Sequence, residues 1–216
     1  TQHHAHRMER TAEALQSIAR RIHELAIEQH RCFLEEIQPL LAAEGVAIVR
    51  PKEATPAQRA FLEEYFRRTL HPILTPLAID PGHPFPHLGN RSLCLVTSVR
   101  ATGASPLPKA TVALMHLPAH VVPRFVALPA SPDLHAFMLL EDVLRMHLPW
   151  LFHGYAVESC HAIRVTRDSE LLLERGRAED LLTSIEASVR ERRMGDAVRL
   201  QYDADLPDAI LKTLVD

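Results

Sequence analysis

Glycine is scarce in this chain, with seven residues in 216. Neither G-x-G-x-x-G nor G-x-x-x-x-G-K-[ST] occurs, which excludes the glycine-built phosphate cradles of dinucleotide-binding and P-loop folds. A G-x-S-x-G elbow and an H-E-x-x-H helix are also missing, so the common serine-hydrolase and zinc-protease arrangements are not available. Cysteine is rare too: Cys32, Cys94 and Cys160 are far apart, odd in number and without a C-x-x-C. That predicts three reduced thiols and argues against a disulfide or zinc framework. Positive charge is not in excess, because 24 Lys and Arg face 27 Asp and Glu for a net charge of −3 with neutral His. Bulk charge therefore gives no reason to expect a nucleic-acid partner. No apolar run reaches the roughly 18 residues of a membrane span, and the first residues lack the apolar core of a signal peptide. The expected setting is cytoplasmic, with peripheral association at a membrane as the one variant. The chain starts at Thr1 without Met and enters a helical pattern almost at once, which suggests a piece of a longer protein.

Proline, by contrast, is plentiful. Five of the 16 prolines fall between Pro72 and Pro86. Each fixes φ, removes a backbone donor and keeps the preceding residue out of the α region. The stretch from Leu74 to Leu88 therefore cannot be helix, and proline seldom sits in a central strand. Leu74, Leu77, Ile79, Phe85 and Leu88 are too apolar for a solvated linker. A stiff, packed connector is expected here, held extended between a helix ending near Leu70 and a strand starting near Ser92.

Around that connector the periodicity predicts an α+β fold: a long N-terminal helix, then a mixed β-sheet domain packed with helices. Residues 8–43 form the long helix, with Leu15, Ile18, Ile22, Leu25, Phe33, Ile37 and Leu40 or Leu41 on one stripe that needs partners, expected upstream in a longer chain. Thr55-Pro56-Ala57-Gln58 has the spacing of a capping box with proline at the first helical position. Leu93 to Val99 and Ala110 to Leu117 predict a hairpin across a Gly/Ser/Pro loop. Shorter strands are expected at 124–128 and 136–139, and a helix over 140–148 closed by Pro149. A strand over 155–166, a helix over 178–193, a strand over 197–202 and a terminal helix opened by Pro207 complete the reading.

Few side chains suggest chemistry. His23 and His30 lie one heptad apart on the long helix and lack a third ligand, so they read as flank residues. His83 and His87 mimic H-x-x-x-H, but the intervening prolines forbid the helix that would bring both imidazoles to one ion. Glu141 and Asp142 open a helix, where negative charge suits the dipole. No metal ligand set is expected, and no catalytic residue. The one polar cluster with a functional alternative is Arg164, Thr166 and Arg167 with Arg199 and Gln201. If the strands carrying them are neighbours in register, Arg164 and Arg199 converge on one face, and planar guanidinium forks suit phosphate oxygens. Ion pairing with Asp168, Glu170 or Glu158 is the structural alternative. Arg164, Arg167 and Arg199 are accordingly the candidate phosphate-binding residues.

The order of motifs carries a resemblance. Glu64-Tyr-Phe-Arg-Arg-Thr-Leu-His-Pro-Ile-Leu-Thr-Pro-Leu-Ala-Ile-Asp-Pro-Gly-His-Pro-Phe-Pro86 resembles a stretch of bacterial polyphosphate kinase. Leu140-Glu141-Asp142, then Leu151-Phe152-His153-Gly154-Tyr155, Arg164-Val165-Thr166-Arg167-Asp168 and Arg193-Met194-Gly195-Asp196-Ala197-Val198-Arg199-Leu200 follow in the family's order. Ser169-Glu170 after Asp168, and Gln201 where the family commonly has Glu, are departures.

The resemblance implies a parent enzyme that reversibly transfers the terminal phosphate of ATP to inorganic polyphosphate through a phosphohistidine, with Mg2+ bound outside this region. It implies that residues 1–44 are the last helix of a helical N-terminal domain and 45–216 the α+β head domain. The catalytic C-terminal domains, with the nucleophilic histidine, would be absent. ATP, ADP and polyphosphate would be partners of the whole enzyme, which would be a homo-oligomer. The piece itself would be a non-catalytic scaffold, dimerisation and tunnel-wall module. The alternatives are a free-standing polyanion-binding module using the arginine face, and a self-contained enzyme using His83 or His87 as nucleophile.

Overall fold

A computed structural model describes residues 2–79, 85–103, 110–168 and 195–215. The helix expected over 178–193 lies outside them. By its internal contacts the chain divides into two units, residues 1–49 with 127–137, and residues 50–126 with 138–216.

The first unit is dominated by one helical rod. Helix α1 (Gln2–Cys32) passes through a wide π turn (Phe33–Ile37) into α2 (Gln38–Ala43). Proline explains the wide turn. Pro39 has no N–H for an i→i−4 bond and its ring crowds the carbonyl four residues back. The Gln38 N–H just before it bonds instead to the Phe33 carbonyl, five residues back. The predicted stripe is present, but Leu15 is 61% exposed and Ile27 69% exposed, and Ile18, Leu25, Phe33, Leu34, Ile37 and Leu40 are exposed as well. The rod stops at Gly45, whose φ of +74° is strained for any side chain. A Cβ there would stand 2.6 Å from the Asp133 carbonyl oxygen. Strand β1 (Val46–Ile48) follows and pairs in parallel with the later β6 (His135–Leu139), from Val46 against His135 to Ile48 against Phe137. With β5 (Phe125–Leu128) they form a three-stranded sheet in the order β1-β6-β5.

The second unit carries the larger sheet. Helix α3 (Pro56–Tyr65) opens with both halves of the predicted capping box: the Gln58 N–H donates to Thr55 Oγ1 at 3.2 Å, and the Thr55 N–H donates to Gln58 Oε1 at 3.0 Å. A second π turn (Phe66–Leu70) ends it, again one residue before a proline; the His71 N–H reaches back to the Phe66 carbonyl and Pro72 follows. The proline connector then makes a single 3-10 turn (His71–Ile73) and a short strand, β2 (Leu77–Ile79). Its apolar residues do not all find cover. Leu88 is buried, whereas Leu77 and Phe85 are exposed. The expectation of a packed connector is corrected to that extent, because β2 is an edge strand with neighbours on one side only.

Five strands run in the order β2-β4-β3-β7-β8, where β3 is Leu93–Ala101, β4 Ala110–His116, β7 Tyr155–Arg167 and β8 Ala197–Tyr202. All four pairings are antiparallel. The central strand β3 is buried on both faces, from Cys94 to Thr97. On one face Cys94, Val96, Leu114, Ile163 and Val165 join Leu88, Leu206 and Ile210, the last from the terminal helix α6 (Asp208–Val215). Leu95, Thr97 and Met115 point the other way by strand alternation and are equally buried. Leu62, Phe66, Leu70, Leu140, Val143 and Leu144 supply fully buried helical side chains, and Phe66 stacks on His147 with ring centroids 4.6 Å apart. Helix α4 (Leu140–Met146) ends before Pro149, as expected, yet Pro149 does not close the region. It opens a further turn, α5 (Leu148–Leu151), at the position where a missing N–H does no harm.

A candidate anion-binding face at the end of strand β7

The pairing of β7 with β8 decides where the arginines go. Arg164 stands opposite Gln201 and Thr166 opposite Arg199, while Ile163 meets Tyr202 and Val165 meets Leu200. Ile163 and Val165 belong to the buried cluster, with Leu200 packed against it. Alternation therefore places Arg164, Thr166, Arg199 and Gln201 together on the reverse face. This is the register on which the predicted convergence depends.

The three candidate arginines differ in how much of their bonding capacity is taken. Arg167 is a brace. Its Nε donates to the Leu88 carbonyl at 2.7 Å and its Nη1 to the Gly195 carbonyl at 2.8 Å, and its backbone N–H donates to Asn90 Oδ1 at 2.9 Å. The register shifts between Thr166 and Arg167, so Arg167 leaves the alternation that sets Arg164 and Thr166. Gly195 suits this contact, since a Cβ there would stand 2.3 Å from the Asp168 carbonyl oxygen. Arg164 is the opposite case: its Nε is buried and has no hydrogen-bond partner. A guanidinium donor without an acceptor is costly to bury, which sets Arg164 apart from the fully engaged Arg167. Arg199 is exposed on the edge strand, and no acid pairs with Arg164 or Arg199 among the described residues. Glu158, one of the expected partners, is engaged elsewhere, with the Arg100 guanidinium and with Ser98 Oγ at 3.1 Å.

Other candidates of the sequence are placed as follows. The His23 and His30 rings each lie 2.8 Å, at Nδ1, from the carbonyl four residues earlier on their own helix. His87 is exposed, and His83 lies outside the described residues. Glu141 and Asp142 sit in the first turn of α4, and both are ion-paired. Glu141 accepts two bonds from Arg124, at 2.5 and 3.3 Å, and Asp142 accepts from Arg145 at 3.0 Å. The pairing with Glu141 holds the Arg124 guanidinium still more firmly protonated, against the opposing effect of burial. Cys94 is no nucleophile, because burial pushes its thiol up to about 12. All three cysteines are free.

Two features were not anticipated. Arg145 bridges Asp142 and Asp203, reaching Asp203 Oδ2 at 2.6 Å. His161, Asp203 and Asp205 also form a group of ligand-bearing side chains. The only hint in the sequence was Asp203-Ala204-Asp205, since His161 is brought to it by the fold.

A family model described as the polyphosphate kinase middle domain matches residues 57–216. The chain belongs to the polyphosphate kinase family. A polyphosphate kinase of Thermosynechococcus vestitus is 39% identical over 210 residues, covering 95% of this chain and 28% of that protein. One from Mycolicibacterium gilvum is 36% identical over 206 residues, covering 94% of this chain and again 28% of the relative. Among solved structures, a polyphosphate kinase from Porphyromonas gingivalis superposes with a TM-score of 0.71 at 25% identity, covering 94% of this chain and 29% of that one. The chain thus spans under a third of the length of these relatives. The α+β architecture expected from the sequence is the one the family shows. Among the described residues no helix is long and apolar enough to cross a membrane.

Proposed function

We propose that this chain is the last N-domain helix (residues 1–44) and head domain (45–216) of a longer cytoplasmic polyphosphate kinase, and that it serves that enzyme as a non-catalytic scaffold whose arginine face carries polyphosphate. The parent would transfer the terminal phosphate of ATP to inorganic polyphosphate through a phosphohistidine formed outside this chain. The names and coverage of the relatives support this parentage. The exposed stripe of α1 and α2 is the surface for the rest of the helical domain, and dimer contacts are a second use of the scaffold.

The observation that carries the substrate reading is Arg164. Its buried, unpartnered Nε shares a face with Arg199, Thr166 and Gln201. Two guanidinium groups and two neutral donors fit the repeating oxygens of a polyanion. Arg167 sets the rim of that face through its backbone contacts. Magnesium acts with the ATP phosphates elsewhere in the parent. The group of His161, Asp203 and Asp205 seen among the described residues does not fit that role, since His161 shares a face with Ile163 and Val165 and projects from the opposite side of β7 to Arg164.

In the full-length enzyme, Arg164→Ala combined with Arg199→Ala should raise the KM for polyphosphate about tenfold, roughly the loss of one charge-assisted bond. The kcat should stay near wild type, and the KM should depend less on salt. An unchanged KM and salt dependence would remove the polyphosphate reading of this face. The polyanion module without a kinase would be favoured if polyphosphate bound in a salt-dependent way while the full-length protein transferred no phosphate from ATP.

A further inference from the structure

The turn between β8 and α6 brings a histidine and two aspartates into one group. The ligand atoms of His161, Asp203 and Asp205 all lie within 4.8 Å of one another. The imidazole is anchored, its side chain only 7% exposed, and its Nδ1 lies 3.1 Å from Asp205 Oδ1. Two ligands sharing a tetrahedral ion at about 2.0–2.1 Å would stand about 3.3 Å apart, so that separation suits a shared ion. His161 Nε2 is buried without a hydrogen-bond partner. Asp205 can only accept, so in the metal-free protein Nδ1 carries the ring proton, and an ion takes the Nδ1 lone pair once that proton has moved to Nε2.

Asp203 is equally well placed. Its backbone N–H donates to the Ala162 carbonyl at 3.1 Å, and its carbonyl accepts from the Leu206 N–H at 2.9 Å. Its Oδ2 accepts from the Ala162 N–H at 2.8 Å and from Arg145 at 2.6 Å. Oδ1 is the oxygen left over. Asp205, with a side chain 84% exposed, opens the group to water, which can complete the coordination.

Charge points the same way. Asp142, Asp203 and Asp205 contribute three negative charges and Arg145 one positive charge. With a neutral imidazole the balance is −3 + 1 = −2. A divalent cation would restore neutrality.

We infer that His161, Asp203 and Asp205 bind one divalent ion of the borderline class, Zn2+ or Mn2+, that ties the β8–α6 turn to strand β7. One nitrogen and two carboxylate oxygens suit those ions better than Mg2+ or Ca2+, which favour all-oxygen shells. The site is structural, and it is independent of whether the arginine face carries polyphosphate.

The test uses the full-length enzyme, stripped with chelator and dialysed against Zn2+ and, separately, Mn2+. Bound metal is counted by mass spectrometry in wild type, Asp205→Asn and His161→Gln. Asp205→Asn alters an exposed side chain and should fold normally. It should hold one equivalent less than wild type of at least one of the two ions, and His161→Gln should match it. With that ion the thermal midpoint of wild type should rise, while that of Asp205→Asn should not. Equal metal content in wild type and Asp205→Asn with both ions would overturn the assignment.

Discussion

The rod of α1 and α2 and the central strand β3 are built from the same kinds of residue, and the structure treats them in opposite ways. Leu15, Ile18, Leu25 and Ile27 stay in contact with water, while Cys94, Leu95 and Val96 are sealed on both sides. The apolar content of a segment is therefore a poor guide to what it contributes within the chain. A stripe stabilises only when something covers it, at about 25 cal/mol per Å² removed from water. In β3 that cover comes from the chain itself, whereas under the proposed function the rod would receive it from other parts of the parent.

The largest effect should come from the sealed region. Leu144→Ala empties a fully buried position on α4 and should lower the unfolding free energy by about 2–5 kcal/mol, read from a urea transition. Ile18→Ala, which deletes atoms of the same kind from the rod, should change the stability of residues 1–216 by less than about 0.5 kcal/mol. Similar losses at the two positions would break the contrast. A cost of about 2 kcal/mol for Ile18→Ala in the full-length enzyme alone would sharpen it, by showing that the stripe is covered there.

Charged pairs repeat the contrast on a smaller scale. Glu141 is buried and grips Arg124 through two bonds. Glu141→Gln should cost about 1–2 kcal/mol, because it weakens both charge-assisted bonds while leaving Arg124 partly open to solvent. The smallest effect should be at Glu158, on the exposed rim of the sheet. The Arg100 guanidinium, and after it the Ser98 hydroxyl, hold its carboxyl below the usual range. A carboxyl with a lowered folded-state pKa adds stability above its ordinary value and loses it as the pH falls through the lowered one. The difference in thermal midpoint between wild type and Glu158→Gln should therefore be small at pH 7 and vanish on acidification. A difference that persists in acid would point to packing as its source.

Much of the fold could be read in the sequence where local chemistry decides it. The capping box of α3 needs only Thr55, Pro56 and Gln58, and the facing of β8 follows from Val198, Leu200 and Tyr202 alternating with Arg199 and Gln201. The two wide helical turns had a readable cause in Pro39 and Pro72, though their form appears only in the backbone bonds. The candidate face was partly legible: Arg164 and Arg199 required one assumption about register, which the pairing of β7 with β8 meets. The rest depends on details that no periodicity carries. A shift in register beside Thr166 commits Arg167 to backbone carbonyls. His161 and Asp205 are 44 residues apart in sequence, and only the return of β8 along β7 brings them to 3.1 Å.

The parallel pairing of β1 with β6 bears on how the chain reaches its fold during synthesis. Val46 must find His135 across 135 − 46 = 89 positions. Closing so long a loop costs about 4 kcal/mol of chain entropy before any contact rewards it. The hairpin of β3 and β4, joined by a short connection, can close as soon as it leaves the ribosome, whereas β1 has to wait until β6 has been made. In that interval the rod carries a bare strand at one end. That strand remains open to wrong pairing until β6, the strand that completes the small sheet, arrives.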